Sequence, residues 1–287
     1  MNRLERNEKL IRLALLVVAF SAVSILAVIT VFIFSEGSPI MLKYGFKNFL
    51  GGLDWYPSEK SFGLLPMITG SMMVTLGALI IGVPFGLGCA VYLTEFSSKK
   101  LRRVVKPIIE LLAGIPSVVY GFIGVIILVP LIRNTLGGPG LSVLAASIIL
   151  GIMILPTIIS ISIDSLLAVP SSYREGSLAL GATRWQTVKM VLLTAARSGI
   201  IASIILGMGR AIGETMAVIM IAGNAISIPG SILDPVRTLT SNIALEMGYA
   251  SGEHRQALFA TGVILFIIIM ILNTAANITS GRRRRRT

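Results

Sequence analysis

Arg210 and Glu214 are the residues of this 287-residue chain whose placement most demands chemistry. Both fall in the apolar run Gly199 to Gly223, at positions i and i+4, which puts them on one face of a continuous helix. An ionisable side chain at membrane depth costs about 3 kcal/mol or more. Arginine keeps its proton, so Arg210 needs an anionic partner or water. Glu214 can be that partner, and an oxyanion can displace it, because the guanidinium fork matches oxyanion oxygens in two parallel hydrogen bonds. From the residues alone two readings stand side by side: a permanent pair that locks helix packing, and a cationic station on an anion pathway. Thr215 and Ser117 add hydroxyl donors, although Ser and Thr also satisfy kinked backbones.

A second constellation is Tyr173-Arg174-Glu175-Gly176-Ser177-Leu178-Ala179-Leu180-Gly181-Ala182-Thr183. Pro170 followed by Ser171 and Ser172 predicts a helix start. Gly181 predicts its end in a left-handed turn. The small residues Gly176, Ser177, Ala179, Gly181 and Ala182 let another surface come close to the backbone. The alternative is a helix lying on lipid, but no Trp/Leu belt appears until Trp185.

Other chemistries are poorly served. One cysteine, Cys89, excludes an internal disulfide, and one histidine, His254, argues against a His/Cys metal site or a histidine-based triad. We expect no metal and no catalytic residues. Gly207 to Gly213 is one residue off a dinucleotide loop and lies in an apolar run. There is no G-x-x-x-x-G-K-[ST], so no cofactor is expected in this chain. His254 reads as a solvated loop residue, and Glu110 as a carboxylate favouring the N-terminus of a helix, with a gate contact as its functional alternative.

The elements that must position these residues are membrane helices. The chain is 54% apolar and 13% charged, with mean hydropathy +0.87, too few charges for the surface of a soluble globule. Leu13 to Ser35 is 23 residues without a charge, enough to cross a hydrocarbon core about 30 Å thick. Further runs extend over Leu64–Thr94, Pro107–Ile132, Leu141–Ile163, Gly199–Gly223 and Ala257–Ser280. Six helices put both termini on one side. Eighteen of the 25 Lys and Arg residues fall on the side of the termini, and six on the other, which predicts cytoplasmic termini. The +12 net charge is then mostly a topology signal, with an attraction to anionic headgroups. Gly82-x-x-x-Gly86 and Gly209-x-x-x-Gly213 permit close helix contact. Pro84, Pro116 and Pro156 read as bends within spans. The outer segments Glu36–Gly63, with Trp55, and Asn224–Gln256 are long enough to carry short helices and meet something outside.

The Glu175-to-Gly181 spacing resembles the "EAA" loop of ABC importer permeases, with Gly176 and Ser177 in place of two alanines and Thr194 where a proline is usual. Four more stretches join it: Phe62 to Met67, Gly82 to Gly86, Ile109 to Gly121 and Gly207 to Thr215. Together they resemble the permeases of phosphate-specific ABC importers, of the PstC type, from about Arg12 to Asn277. The resemblance implies an all-α integral membrane fold, a type I (MetI-like) permease core over about residues 64–280, within a six-helix domain at 13–287 after a cytoplasmic tail at 1–12. It implies that Arg174, Glu175, Gly176, Ser177, Ala179, Gly181 and Ala182 form a coupling helix docking on an ATPase, and that Arg210, Glu214, Thr215 and Ser117 line a phosphate path. It further implies a PstA-type permease partner, two PstB-type ATPase subunits binding ATP and Mg, and an external PstS-type phosphate-binding protein, in a bacterial or archaeal cytoplasmic membrane. The rival readings are a permease for molybdate or sulfate, an ATP-independent anion channel or transporter, and a membrane-embedded enzyme. The last lacks HExxH, an aspartate pair inside the spans and a Ser–His dyad.

Overall fold

The computed structural model describes residues 3–281, and Arg282 to Arg286 of the basic C-terminus lie outside the described residues. Helix α1 (Arg3–Tyr44) carries the first apolar run and continues nine residues past Ser35. The chain then folds back through α2 (Phe46–Gly51) and a hairpin of β1 (Trp55–Tyr56) and β2 (Ser61–Phe62), in which Trp55 pairs with Phe62. Helix α3 (Leu65–Val91) ends in a π turn over Tyr92–Phe96. It is followed by α4 (Lys99–Leu112), α5 (Ser117–Ile123), a π turn over Gly124–Leu128, α6 (Val129–Leu136) and α7 (Val143–Leu167). The next stretch is built of α8 (Ser171–Ala179), α9 (Arg184–Gln186), a π turn over Thr187–Leu192 and α10 (Leu193–Ala195). The chain finishes with α11 (Arg197–Ile212), α12 (Met216–Ile221), α13 (Leu239–Glu246) and α14 (Gly252–Gly281).

Among the described residues, five helical stretches are long and apolar enough to cross a membrane: Ile11–Tyr44, Leu65–Phe96, Ser117–Leu136, Val143–Leu167 and Gly252–Ala275. A sixth is reached only if Arg184–Ala195 and Arg197–Ile212, bent by 72° to each other, form one span. Two of the expected spans are therefore redrawn. The third begins at Ser117 rather than Pro107, because Lys99–Leu112 is a separate amphipathic helix capped by Ser98, whose Oγ accepts from the Leu101 amide. The backbone breaks at Ala113–Pro116, since proline disfavours helical geometry in the residue before it. Pro116 thus starts a new helix instead of bending an old one. Glu110 accordingly sits in the last turn of α4, not at a helix N-terminus, and accepts from the Ser160 hydroxyl at 2.9 Å. The fifth run, Gly199–Gly223, is likewise two helices separated by Gly213–Thr215.

The core forms where α3 packs along α7. A Cβ on Gly82 would lie 2.7 Å from the Ile154 side chain, and one on Gly86 would lie 2.7 Å from Ile158, so these glycines set the approach of the two helices. The Gly209/Gly213 spacing does not do this: a Cβ on Gly209 would meet nothing within 4 Å. Val74, Ala78, Leu150, Ile154 and Val218 fill the centre of this cluster.

At the other end of the bundle the outer segments fold onto it. Trp55, Phe49 and Phe62 are buried against Met67, Leu239 and Leu258. Helix α13 packs against α3 and α14, with Leu239, Ser241 and Asn242 at 0% exposure. The carboxylate of Glu246 gathers three donors there: Trp55 Nε1 at 2.8 Å, Arg237 at 2.7 Å and His254 Nε2 at 2.8 Å. His254 is therefore not a solvated loop residue. It lies in the first turn of α14 with a buried partner.

Candidate functional site

Two breaks in the helical backbone meet at Arg210. Its side chain leaves the last turn of α11, and Nη2 donates to the carbonyl of Ala113 at 3.3 Å. That carbonyl belongs to the break after α4, where helix-end carbonyls lack intrahelical partners. Irregular backbone at membrane depth persists where it is buried in protein or lines a wet cavity. Helices α5 and α12, which follow the two breaks, pack on each other: a Cβ on Gly121 would lie 3.0 Å from Ala217.

Glu214 does not share the helix face of Arg210. Helix α11 ends at Ile212, so the i, i+4 geometry of a continuous helix does not extend to residue 214. The Glu214 carboxylate instead turns to the start of α12 and accepts from the Ala217 amide at 3.1 Å. Its carbonyl accepts from the buried Thr240 hydroxyl at 2.8 Å, which joins α13 to the break. Among the described residues no ion pair joins Arg210 to Glu214, and Arg210 makes one side-chain hydrogen bond. The half-buried guanidinium thus keeps donors in hand for water or an anion. Thr215 caps α12 in position only, its hydroxyl donating back to the Gly213 carbonyl at 3.3 Å. Ser117 opens α5, and among the described residues no hydrogen bond joins it to Arg210 or Glu214.

Helix α8 ends as its glycine predicts. Gly181 has φ +85°, the Gly181 amide donates to the Leu178 carbonyl at 3.0 Å, and the Ala182 amide to the Ser177 carbonyl at 3.2 Å. That pair of bonds is a Schellman end. Thr183 then opens α9 with a capping box: its hydroxyl accepts from the Gln186 amide, and its amide donates to the Gln186 side chain. The two short helices frame a concave, mostly apolar surface of about 530 Å³, lined by Tyr173, Gly176, Leu180 and Met190 among others. A Cβ on Gly176 would meet nothing within 4 Å, so this chain itself gives no packing reason for a glycine there.

Within α8 the expected contact residues divide. Glu175, Gly176 and Ala179 are exposed. Arg174 turns back into the bundle, where Nε donates to Glu95 Oε2 at 2.9 Å and Nη2 to Oε1. That hydrogen-bonded carboxylate, aided by charge attraction, raises the guanidinium pKa above its ordinary value. Ser177 meets the Thr187 hydroxyl at 3.0 Å. The sequence reading missed Glu95, one residue past the second apolar run, and Thr240. It also missed Ala113, which acts through its carbonyl and so leaves no side-chain signal.

Residues 82–285 match the family described as binding-protein-dependent transport system inner membrane component. The chain belongs to this family. The matched region includes α8, both breaks and Arg210. A probable ABC transporter permease protein, YqgH of Bacillus subtilis, is 43% identical over 264 residues, covering 89% of this chain and 85% of the relative. The phosphate transport system permease protein PstC of Pasteurella multocida is 37% identical, covering 80% of this chain and 78% of the relative. A probable PstC of Methanocaldococcus jannaschii is 33% identical over 84% of each chain. Among solved structures, a chain of the inward-facing MetNI methionine ABC transporter superposes with a TM-score of 0.60 at 22% identity, covering 76% of this chain and 94% of its own. A chain of a bacterial ABC transporter that imports alginate gives a TM-score of 0.63 at 17% identity, over 96% of this chain and 99% of its own. The fold is that of an ABC importer permease, as the MetI-like resemblance implied.

Proposed function

We propose that this membrane chain is a permease subunit of an ATP-driven phosphate importer and that it holds no catalytic centre or cofactor of its own. The observation that carries the reading is Arg210, a guanidinium set between two helix breaks without a carboxylate partner among the described residues. A fork of this kind takes a tetrahedral oxyanion by paired, charge-assisted hydrogen bonds. The PstC relatives support phosphate as that anion.

Helix α8 supports an ATP-driven cycle. Its exposed face, its Schellman end and a glycine without an internal packing role at Gly176 suit close docking by another protein. In this reading partner ATPase subunits of the PstB type bind ATP and Mg, hydrolyse it and press on α8. A PstA-type chain completes the pathway, and a PstS-type protein delivers phosphate to the opposite end. Helix α8 and both termini lie in the cytoplasm, on the basic side of the charge asymmetry. Glu175, Gly176, Ala179 and Gly181 face the ATPase, while Ser177 and Ala182, half-buried, shape the turn. Glu214, Thr215 and Ser117 border the path beside Arg210.

Co-purification tests the reading. A tagged chain extracted in mild detergent brings down an ATPase and a second permease, and phosphate with its binding protein stimulates hydrolysis. Isolation of this chain without an ATPase contradicts it, and stimulation by molybdate or sulfate alone reassigns the anion.

A further inference from the structure

Glu95 is an acidic residue to which neither the pathway nor the docking face gives a task. It lies on the π turn Tyr92–Phe96 that closes α3, and its side chain is 8% exposed. Arg174 of α8 grips both of its oxygens. Among the described residues these are the side-chain hydrogen bonds that join α8 to the π turn closing α3. On its other side α8 is joined by the Ser177–Thr187 hydroxyl contact to a second π turn, which leads through α10 into α11. Thr94, Glu95, Arg174, Leu178, Arg184 and Thr187 surround a cavity of about 220 Å³ at this junction.

The two attachments differ in stiffness. A hydroxyl pair turns about its single bonds, whereas a bidentate guanidinium–carboxylate contact fixes both distance and plane. Helix α3 has little slack, since Gly82 and Gly86 bring it against α7. A push on α8 that reached α3 through Glu95 would therefore move α3 and α7 together, while the path through Thr187 would reach α11 and Arg210. π turns accommodate such local adjustment because they already depart from the regular helical ladder.

We propose that Glu95, through Arg174, is the positioning residue that transmits displacement of α8 into the α3–α7 pair during transport. The inference rests on the reading of α8 as the ATPase-docking helix. It requires that the pair act as one unit, that its loss lower transport per ATP, and that ATPase binding survive, because the exposed face of α8 is untouched.

The test uses the whole complex reconstituted in liposomes, with bound ATPase, ATP hydrolysis and phosphate uptake measured on the same preparation. Glu95→Gln, Arg174→Met and the double variant are compared with the wild type. Each single variant and the double variant are expected to retain the ATPase and to lose about tenfold in phosphate taken up per ATP. The double variant is expected to be no worse than either single one, because the two residues form one link. If a single variant fails to assemble, the double variant decides, since it leaves no buried charge without a partner. A wild-type uptake-to-ATP ratio in the assembled double variant, or single losses that multiply in it, overturns the proposal. Failure of the underlying reading has a different signature: Gly181→Trp would then leave ATPase binding and uptake intact.

Discussion

The Arg210 side chain donates to the Ala113 carbonyl at 3.3 Å and so ties together two helix breaks that are 97 residues apart in sequence. That contact replaces the expected Arg210–Glu214 pair and separates the tasks of the two residues. Arg210 holds the junction, and in the proposed function its remaining donors serve the anion path. Glu214 holds the start of α12.

Substitution of Arg210 should impair transport and spare assembly. Arg210→Gln keeps a donor for the Ala113 carbonyl but removes the charge, and Arg210→Lys keeps the charge but loses the planar fork. Both are expected to assemble in wild-type yield and to lose phosphate uptake by about 100-fold for Gln and tenfold for Lys, the scale of removing one charge-assisted contact. Wild-type uptake in Arg210→Gln removes Arg210 from the pathway.

Glu214→Gln is expected to assemble normally, because an amide oxygen can still accept from the Ala217 amide. Glu214→Leu removes that acceptor and should lower stability by about 1 kcal/mol, the value of a helix-capping bond. The yield and thermal midpoint of the purified complex distinguish the two. Equal, severe loss in both would restore a charge partnership with Arg210.

The Glu246 cluster should act as a structural clamp at the opposite end. Glu246→Leu leaves Arg237, whose side chain is 15% exposed, without its carboxylate and should cost about 3 kcal/mol. Trp55→Phe removes one donor and should cost about 1 kcal/mol. Thermal unfolding of the detergent-solubilised chain measures both, and unchanged midpoints would show the cluster to be energetically idle.

Glycine substitutions separate packing from conformational roles. A Cβ on Gly77 would lie 2.2 Å from the Ser147 hydroxyl oxygen, so Gly77→Ala should destabilise by about 1–3 kcal/mol through overpacking. Gly209→Ala meets open space and should gain up to about 1 kcal/mol of helix propensity. The same unfolding assay reports both signs. Destabilisation of equal size at the two sites would contradict the assigned packing.

These contrasts show which features were legible in the sequence. Spans such as Val143–Leu167 stand out because an uninterrupted apolar run has few other solutions in a polytopic chain. The end of α8 was legible because a glycine at φ +85° follows a local rule. The Arg210–Glu214 pairing was misread because i, i+4 reasoning presupposes an unbroken helix, and Gly213 stands where α11 stops. Pro116 carried the signal for the other break, yet a proline inside an apolar run reads equally as a bend. The partners of Glu246 were out of reach: Trp55 lies 191 residues away, and no local pattern encodes that meeting. Glu95 was missed because its meaning depends on Arg174, 79 residues later.

The central claim is that this chain passes phosphate through a path controlled by Arg210 and driven by ATP bound elsewhere. The most direct measurement is uptake of radiolabelled phosphate into liposomes carrying the purified complex, with ATP supplied on the α8 side and the external binding protein on the other. The account predicts accumulation that requires ATP, is not competed by sulfate or molybdate, and disappears in Arg210→Gln complexes that still hydrolyse ATP. Phosphate flux that proceeds without ATP, or ATP-driven uptake that is unchanged in Arg210→Gln, would contradict it.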